Sequence, residues 1–150
     1  MTVTAWDKVD LIGRIAPVYV DPGDSLQRVS KLMWTESVGA VLVGEPGRLL
    51  GIVSARDVVA ELAQGCDPEH VTAGRLMTRG VVSVRTDDLV HEAVYRLIDE
   101  GICHLPVRDP EGEVVGLLSV HELLRPLLIE ALETEERYGE ERAHRGALAS

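Results

Sequence analysis

The sequence contains no phenylalanine, and aromatic residues make up only 3% of its 150 positions. A buried core must therefore be built from valine, leucine, isoleucine and alanine, in a chain that is 45% hydrophobic. Its two cysteines, Cys66 and Cys103, form no CxxC motif, and nothing requires a disulfide. The histidines are scattered, without HExxH or a Cys/His spacing suited to zinc, so no metal site is expected.

Basic residues are scarce, because 15 lysines and arginines face 25 acidic residues and leave a net charge of −10. Such a chain gains little from contact with phosphate backbones or anionic lipids, which argues against nucleic-acid and membrane partners. The apolar runs are much shorter than a bilayer span, and MTVTAWDKVD at the start lacks the basic and apolar segments of a signal peptide. We therefore expect a cytoplasmic protein.

Catalytic motifs are lacking as well. The sequence has no Walker loop, no nucleophile and base at motif spacing, and no paired acids in a cleft-like segment. The expected function is therefore not that of an enzyme.

The sequence does contain an internal repeat. At an offset of 64 residues, Val18, Asp24 and Val43 coincide with identical residues of the second half. One extra residue in a later turn moves the offset to 65, and GIVS at 51–54 then coincides with GLLS at 116–119. The matches fall on glycine, aspartate and serine in one register, which is the signature of a repeated structural unit.

Each copy predicts the order β-α-β-β-α. The apolar runs are continuous, which indicates strands covered on both faces, so the two copies are expected to pack sheet to sheet and share a core. Helix N-caps are predicted at Asp24-Ser25 and Asp87-Asp88. The strands are predicted at 18–20, 38–43 and 49–53 in the first copy and at 82–84, 102–107 and 114–118 in the second, with the copies ending in helices at 55–64 and 120–124.

Beyond residue 124, Pro126 is expected to kink the helix or to begin a new one. The pattern from Leu127 to about Arg145 is helical, with Glu133–Arg137 and Glu141–Arg145 as i,i+4 pairs, and the final GALAS is expected to be disordered. Two interpretations of this tail stay open, a solvated helix that frays or a helix that packs in a dimer.

The segment GIVSARD at 51–57 carries the candidate chemistry. A strand that ends in Gly-x-x-Ser and turns into a helix places the Ser54 hydroxyl and backbone N–H groups where a phosphate binds well. Asp57 supplies a carboxylate that can accept hydrogen bonds from both ribose hydroxyls, and Arg56 offers a planar fork of donors to phosphate oxygens. The alternative is structural, with Ser54 as an N-cap and Asp57 as an acid of the first helical turn.

Two copies that each end in G-h-h-S-x-x-[D/E] resemble CBS domains arranged as a Bateman module, over about residues 9–124. GIVSARD, RLMTRGVVSV at 75–84 and GICHLPV at 101–107 carry the resemblance. It implies an α/β (α+β) fold of two tandem β-α-β-β-α repeats about a pseudo-two-fold axis, of the stand-alone bacterial type. The implied domains are a first repeat at 9–64, a connector at 65–74, a second repeat at 75–124 and a C-terminal helical tail at 125–150.

The same resemblance implies one binding site per repeat, formed with the first two strands of that repeat. The first site comprises Val18, Gly39, Ala40, Ser54, Arg56 and Asp57, with His104 near the pseudo-two-fold axis, where it touches phosphates or is simply a half-buried histidine. The second comprises Thr78, Val82, Ile102, Cys103, Ser119, His121 and Glu122. Further cations for the cleft mouth are Arg14, Arg79 and Arg108, which the sequence does not place.

The two copies differ where it matters for binding. Glu122 replaces aspartate and moves the carboxylate outward by one methylene, and His121 replaces the permanently charged Arg56 with a group only partly charged at neutral pH. Both changes weaken anion and ribose recognition. The first site is therefore expected to bind better than the second.

The function that the resemblance implies is regulatory. No cofactor is expected, and the ligand is an adenosyl nucleotide, AMP, ADP, ATP or S-adenosylmethionine. The expected partners are a second copy of the chain and a regulated protein that the sequence does not identify. The alternative is a ligand-free scaffold that serves as a dimerisation module. Helix residues proposed for the dimer face are Leu32, Met33, Trp34, Ala60, Leu62 and Ala63.

Overall fold

The two halves of the chain fold into two copies of one β-α-β-β-α unit, as the computed structural model, which describes residues 3–148, shows. The predicted fold class is confirmed. The first unit consists of β1 (Tyr19–Val20), α1 (Leu26–Glu36), β2 (Ala40–Glu45), β3 (Arg48–Ser54) and α2 (Ala55–Ala63). After the short α3 (Ala73–Leu76), the second consists of β4 (Val84–Arg85), α4 (Val90–Glu100), β5 (His104–Arg108), β6 (Val114–Ser119) and α5 (Val120–Leu148).

Each unit has its own three-stranded sheet. In the first, β2 lies between β1, to which it is parallel, and β3, to which it is antiparallel. The second sheet repeats this order with β4, β5 and β6. Gly47 and Gly112 have φ angles of +84° and +86° in the two hairpin turns, a conformation that glycine adopts without strain.

The central strands begin two residues later than predicted, and the preceding helices explain why. Ser37 and Gly101 adopt left-handed backbone conformations just after α1 and α4. The N–H groups of Val38 and Ile102 then donate to the carbonyls of Met33 and Leu97 and close the helix ends. Those N–H groups are consequently not available to the sheets.

The first strand of the second unit was predicted at 82–84 but is observed at Val84–Arg85, and Pro106 provides the reason. In the first unit, the N–H of Leu42 donates to the carbonyl of Val18. Pro106 occupies the equivalent position and has no N–H, so it cannot hold Val82 in the same way. The β4–β5 pairing therefore begins one residue later than the β1–β2 pairing and has the same length.

Helix capping also differs between the copies. Ser25 caps α1 as predicted, since its hydroxyl accepts from the N–H of Arg28. The predicted Asp87-Asp88 cap is wrong, because Leu89 is the cap residue of α4 and its N–H donates to the Glu92 carboxylate. Asp88 instead accepts from the N–H of Arg85 and closes the turn after β4.

The segment before each unit packs on the other unit. The N–H groups of Val90 and His91, at the start of α4, donate to carbonyls of Asp7 and Ala5. Those of Leu26 and Gln27, at the start of α1, donate to carbonyls of Val71 and Pro68 in the connector. The N-terminal segment therefore completes the second repeat, and the connector completes the first.

This exchange of segments predicts which repeat is loosened when a buried valine of either segment is truncated. Val9 and Val71 are both buried, the first in the core of the second repeat and the second in the core of the first. We expect Val9→Ala to destabilise the protein by about 2 kcal/mol and to speed amide exchange first at Val90 and His91. The matched variant Val71→Ala should speed amide exchange first at Leu26 and Gln27. Faster amide exchange in the first repeat of Val9→Ala would contradict the exchange of segments between the repeats.

The core has three parts. Each repeat has its own aliphatic cluster between its sheet and its helices. A third cluster, formed by Ala40, Leu42 and Leu117, joins residues of the two sheets. The expected sheet-to-sheet contact is thus present, although most of the core belongs to one repeat or the other.

The last helix departs most from expectation. α5 runs without interruption for 29 residues from Val120 to Leu148 and contains Pro126 within it. Gly146 to Leu148 are helical and not disordered, while the last two residues of the predicted disordered GALAS lie outside the described residues. Neither predicted i,i+4 ion pair forms, and across residues 3–148 none of the salt bridges involves α5.

Candidate functional site

Ser54 and Asp57 form a reciprocal hydrogen-bonded cap at the start of α2. The Asp57 carboxylate oxygen Oδ2 accepts from the Ser54 N–H at 2.8 Å and from the Ser54 hydroxyl at 2.9 Å. The Asp57 N–H donates in return to the Ser54 hydroxyl oxygen at 3.2 Å. This is a capping box, which satisfies donors that a helix N-terminus otherwise leaves without partners. Ser54 and Asp57 therefore have the structural role that was considered for them, as N-cap and first-turn acid of a helix.

The capping box leaves polar groups of Asp57 and Arg56 without a hydrogen-bond partner in the described chain. The two hydrogen bonds that the Asp57 carboxylate accepts both use Oδ2, so Oδ1 makes no hydrogen bond within the described chain. Arg56 is exposed beside it, and its side chain has no partner among residues 3–148. The box also fixes the position of the carboxylate. A held carboxylate and an unpaired guanidinium thus stand together at a helix N-terminus, where anions are favoured.

The connector, a name used from here on for the whole segment between α2 and β4, brings Thr78 to this site. Thr78 and Ile52 exchange two backbone hydrogen bonds, of 2.9 and 3.1 Å, and Ile52 lies in β3 just before Ser54. Thr78 was predicted in the second site, and the structure places it beside the first instead. The reason is that the connector packs on the first repeat, whereas the prediction took all residues of a site from one repeat. Arg79 follows directly and is exposed.

Gly51 allows the connector to cross β3 this closely. A Cβ at Gly51 would lie 2.6 Å from the Met77 sulfur and 2.8 Å from the Thr78 carbonyl oxygen. No residue with a side chain fits there without moving the backbone of the connector. The glycine of the GIVSARD motif is therefore required by packing between the repeats.

Ala40 begins β2, and Gly39 and Val18 directly precede β2 and β1. The carbonyl of Gly39 accepts from the N–H of Ala55 at 2.9 Å, and Ala40 pairs with Ser54 across β2 and β3. The carbonyl of Val18 accepts from the N–H of Leu42 in β2. The start of β2 thus brings Gly39 and Ala40 directly to the cap, while Val18 lies on the far side of β2.

His104 crosses from the second repeat to the first. A Cβ on Gly39 would lie 2.9 Å from Nε2 of His104, so the imidazole packs directly on the backbone of Gly39. Burial lowers the pKa of His104 below its ordinary value of 6.5, and the nearby Glu122 carboxylate opposes this change. The histidine therefore links the Ser54 motif with the equivalent motif of the second repeat.

A depressed histidine pKa carries a definite pH dependence. The unfolded chain binds this proton more readily than the folded protein, so the contribution of His104 to stability is complete above about pH 6.5 and is lost as the pH falls through the folded pKa. We expect His104→Gln to reduce the loss of stability on acidification, measured by urea denaturation at several pH values. An unchanged pH profile would mean that His104 does not titrate in this range.

Comparison with known proteins identifies the architecture. The family description "CBS domain" matches the chain twice, at residues 10–64 and 73–129. The chain belongs to the CBS domain family. An uncharacterized protein of Methanopyrus kandleri is 31% identical over 118 residues, which are 76% of this chain and 60% of that protein. The chain thus spans less than two thirds of that relative.

Two solved CBS structures contain nucleotides. The CBS domain protein of Pyrobaculum aerophilum complexed with AMP has a TM-score of 0.74 at 26% identity and covers 83% of this chain and 97% of that one. The cytosolic domain of the Mg²⁺ channel MgtE in complex with ATP has a TM-score of 0.65 at 27% identity, covering 79% of this chain and 48% of that one.

The second CBS repeat has a related but different cap. The Ser119 N–H donates to Oε2 of Glu122 at 2.7 Å, and the Ser119 hydroxyl donates to the same oxygen. Partial burial alone would raise the pKa of Glu122, but the hydrogen bonds from Ser119 and the nearby His121 lower it overall. The longer glutamate therefore reaches back to Ser119 as Asp57 does to Ser54. His121 is exposed.

The other predicted residues of the second repeat lie on its strands and the segments before them. The carbonyl of Cys103 accepts from the N–H of Val120, as that of Gly39 does from Ala55. Val82 and Ile102 are half-buried against the core of the second repeat and precede β4 and β5. Cys103 is exposed and, like Cys66, is a free thiol.

Arg14 and Arg108 are the other two arginines that the sequence did not place. Arg14 lies over Gly116 of β6, as Met77 lies over Gly51, and its guanidinium is paired with Asp10 at 2.8 Å. It therefore stands beside the second motif. Arg108 donates to the Gly112 carbonyl and the Ser83 hydroxyl at the far end of β5, so it does not belong to either site.

The residues predicted for a dimer face are exposed only in part. Met33 is only 7% exposed and belongs to the core of the first repeat, against which Leu32 also packs. Trp34 is 87% exposed, and Leu62, Ala60 and Ala63 are exposed on α2. Sequence reasoning missed three further apolar side chains on the helix surfaces, Val59 on α2 and Tyr95 and Ile98 on α4, which the 3.6-residue period of α2 and α4 would have placed outward.

Residues 3–148 contain neither a cluster of metal ligands nor a membrane-spanning helix. No three His, Cys, Asp or Glu side chains come close enough to hold a metal ion. No helix in this range is both long and apolar enough to cross a bilayer.

Proposed function

We propose that this CBS protein is a non-enzymatic regulatory module that binds an adenosyl nucleotide at the Ser54 motif. The observation that carries the proposal is the carboxylate of Asp57, which is fixed by Ser54 through one oxygen and leaves the other free beside the unpaired Arg56. A fixed acceptor suits the ribose hydroxyls, and the guanidinium suits a phosphate. The AMP and ATP complexes of two CBS relatives support this ligand class.

The proposed site draws on both repeats. The first repeat supplies Ser54, Arg56 and Asp57 with the backbone of Gly39 and Ala40. The connector supplies Thr78, which is hydrogen bonded to β3, and the second repeat supplies His104, which packs on Gly39. Arg79, next to Thr78, is the nearest further cation on the connector for additional phosphates.

Such a composite site explains how a ligand could regulate. A nucleotide that contacts both Asp57 and Thr78 ties the connector to α2, and a ligand shifts an equilibrium only through contacts that differ between states. The response would be read by a separate protein or by a second copy of the chain. For the second copy we propose the exposed helix surfaces around Trp34 and Tyr95.

A ligand-free scaffold is the second candidate function. The capping box favours it, because Ser54 and Asp57 satisfy each other without any ligand. The exposed apolar side chains on α1, α2 and α4 also suit a module whose main role is association.

A thermal-shift panel separates the two functions. We expect AMP, ADP, ATP or S-adenosylmethionine at about one hundred times its Kd to raise the Tm by roughly 5–10 °C, since a ligand of the native state adds about 2.7 kcal/mol of stability. GTP should have a much smaller effect. Asp57→Asn is the matched control, because it keeps a side-chain oxygen for Ser54 and removes the charge. No shift with any adenosyl compound would favour the scaffold.

A further inference from the structure

Beyond residue 130, α5 extends away from the domain as an exposed helix. Leu127 is the last residue of this helix that packs against the core of the second repeat, and every described residue from 131 to 148 is exposed. At 1.5 Å per residue this segment projects about 27 Å from the domain. An isolated helix of this length is only marginally stable in water, so its stability requires packing against something else.

One face of this segment has the spacing of a helix-pairing surface. Residues at intervals of three and four lie on one side of a helix. The face begins with Leu128 and Leu132, which are 60% and 61% exposed. It continues with Glu135, Gly139, Arg142 and Gly146. Leucines, charged residues and glycines therefore follow each other along one face of the helix.

The charges at the two ends of the segment are opposite, with Arg137, Glu140 and Glu141 between them. Residues 130–136 contain Glu130, Glu133, Glu135 and Glu136 and no basic residue. Residues 142–148 contain Arg142 and Arg145 and no acidic residue. Within residues 3–148, none of these side chains takes part in a salt bridge. The helix thus carries an acidic patch and a basic patch that it does not pair internally.

We propose that the outer part of α5 pairs in antiparallel orientation with α5 of a second copy of the chain. Two such helices related by a two-fold axis place the acidic patch of each against the basic patch of the other. With the axis between Tyr138 and Gly139, Glu135 of one copy lies opposite Arg142 of its partner. Gly139 has no side chain and lets the helices approach closely at the crossing point.

Parallel pairing is disfavoured by the same charges. It would set the acidic patches of both copies side by side, and like charges at that distance repel. The inference does not depend on nucleotide binding, because the outer part of α5 lies beyond both capping motifs.

Disulfide trapping tests the orientation in the full-length chain. Cys66 and Cys103 are first replaced by alanine, and Glu135→Cys and Arg142→Cys are then made separately, with folding checked by circular dichroism. Under mild oxidation we expect an interchain disulfide when the two variants are mixed, and little in either variant alone. Efficient cross-linking of Glu135→Cys with itself would show parallel pairing and overturn the proposal. No cross-linking in any sample would overturn it as well.

A charge exchange gives an independent test by analytical ultracentrifugation. Each single reversal, Glu135→Arg or Arg142→Glu, alters two contacts of the symmetric pair and should weaken the association of the tails by about tenfold. The double variant restores both contacts with opposite sign and should recover the affinity. A double variant as weak as the single ones would contradict the pairing.

Discussion

Replacing Gly51 with valine is expected to destabilise the protein by about 3 kcal/mol or more, the range of severe overpacking in a core. A Cβ at this position would lie 2.8 Å from the carbonyl oxygen of Thr78. That oxygen cannot move away cheaply, because it accepts the N–H of Ile52, while Thr78 donates in return to the Ile52 carbonyl. The substitution therefore forces the connector off the edge of β3.

The equivalent glycine of the second repeat provides the matched control. At Gly116 the three atoms nearest to such a Cβ all belong to the side chain of Arg14, which is long and flexible. We expect Gly116→Val to cost clearly less than Gly51→Val, because Arg14 can turn outward and give up only a surface ion pair with Asp10. Urea denaturation of both variants measures the difference. Equal losses of stability would contradict the description of the connector as a fixed backbone crossing.

Replacing Asp57 with alanine is expected to weaken nucleotide affinity by about 10–100-fold. The loss corresponds to about 1.5–3 kcal/mol for a charged hydrogen bond. The same substitution removes the capping box, so the N–H of Ser54 loses its acceptor and we expect a stability loss of about 1 kcal/mol. A Tm comparison alone would mix these two effects, and the affinity must be measured directly by titration calorimetry.

Two further variants make the affinity result interpretable. Asp57→Asn keeps an acceptor for Ser54, so it should bind as weakly as Asp57→Ala while remaining closer to the original protein in stability. Glu122→Ala alters the second motif and should leave the affinity of the first site nearly unchanged. Unchanged affinity in Asp57→Ala would remove this carboxylate from the site and favour the scaffold.

The repeated architecture could be predicted because local rules agree with each other. The glycine, aspartate and serine positions recur in register, and the apolar runs between them have the length of strands. The errors at element ends have local causes as well. Pro106 delays the start of the β4 pairing by one residue, and Leu89 takes the cap position that Asp87-Asp88 was expected to fill.

The exchange of segments between the repeats could not be predicted in the same way. Hydrogen bonds such as Ile52–Thr78 and Val90–Asp7 join residues far apart in sequence, and no periodicity marks them. For this reason the prediction placed Thr78 with the second repeat, whereas its backbone is hydrogen bonded to β3 of the first. Gly51 and Gly116 were visible in the sequence as repeated glycines, but the segments that cross them were not.

The most direct test of the central proposal is a crystal structure of this chain grown with AMP. We predict a single well-occupied nucleotide with its ribose hydroxyls at the carboxylate of Asp57 and its phosphate near Arg56 and the N-terminus of α2. Thr78 should contact the same molecule from the connector. A nucleotide bound only at the Ser119 motif, or no bound nucleotide at saturating AMP, would contradict the proposal.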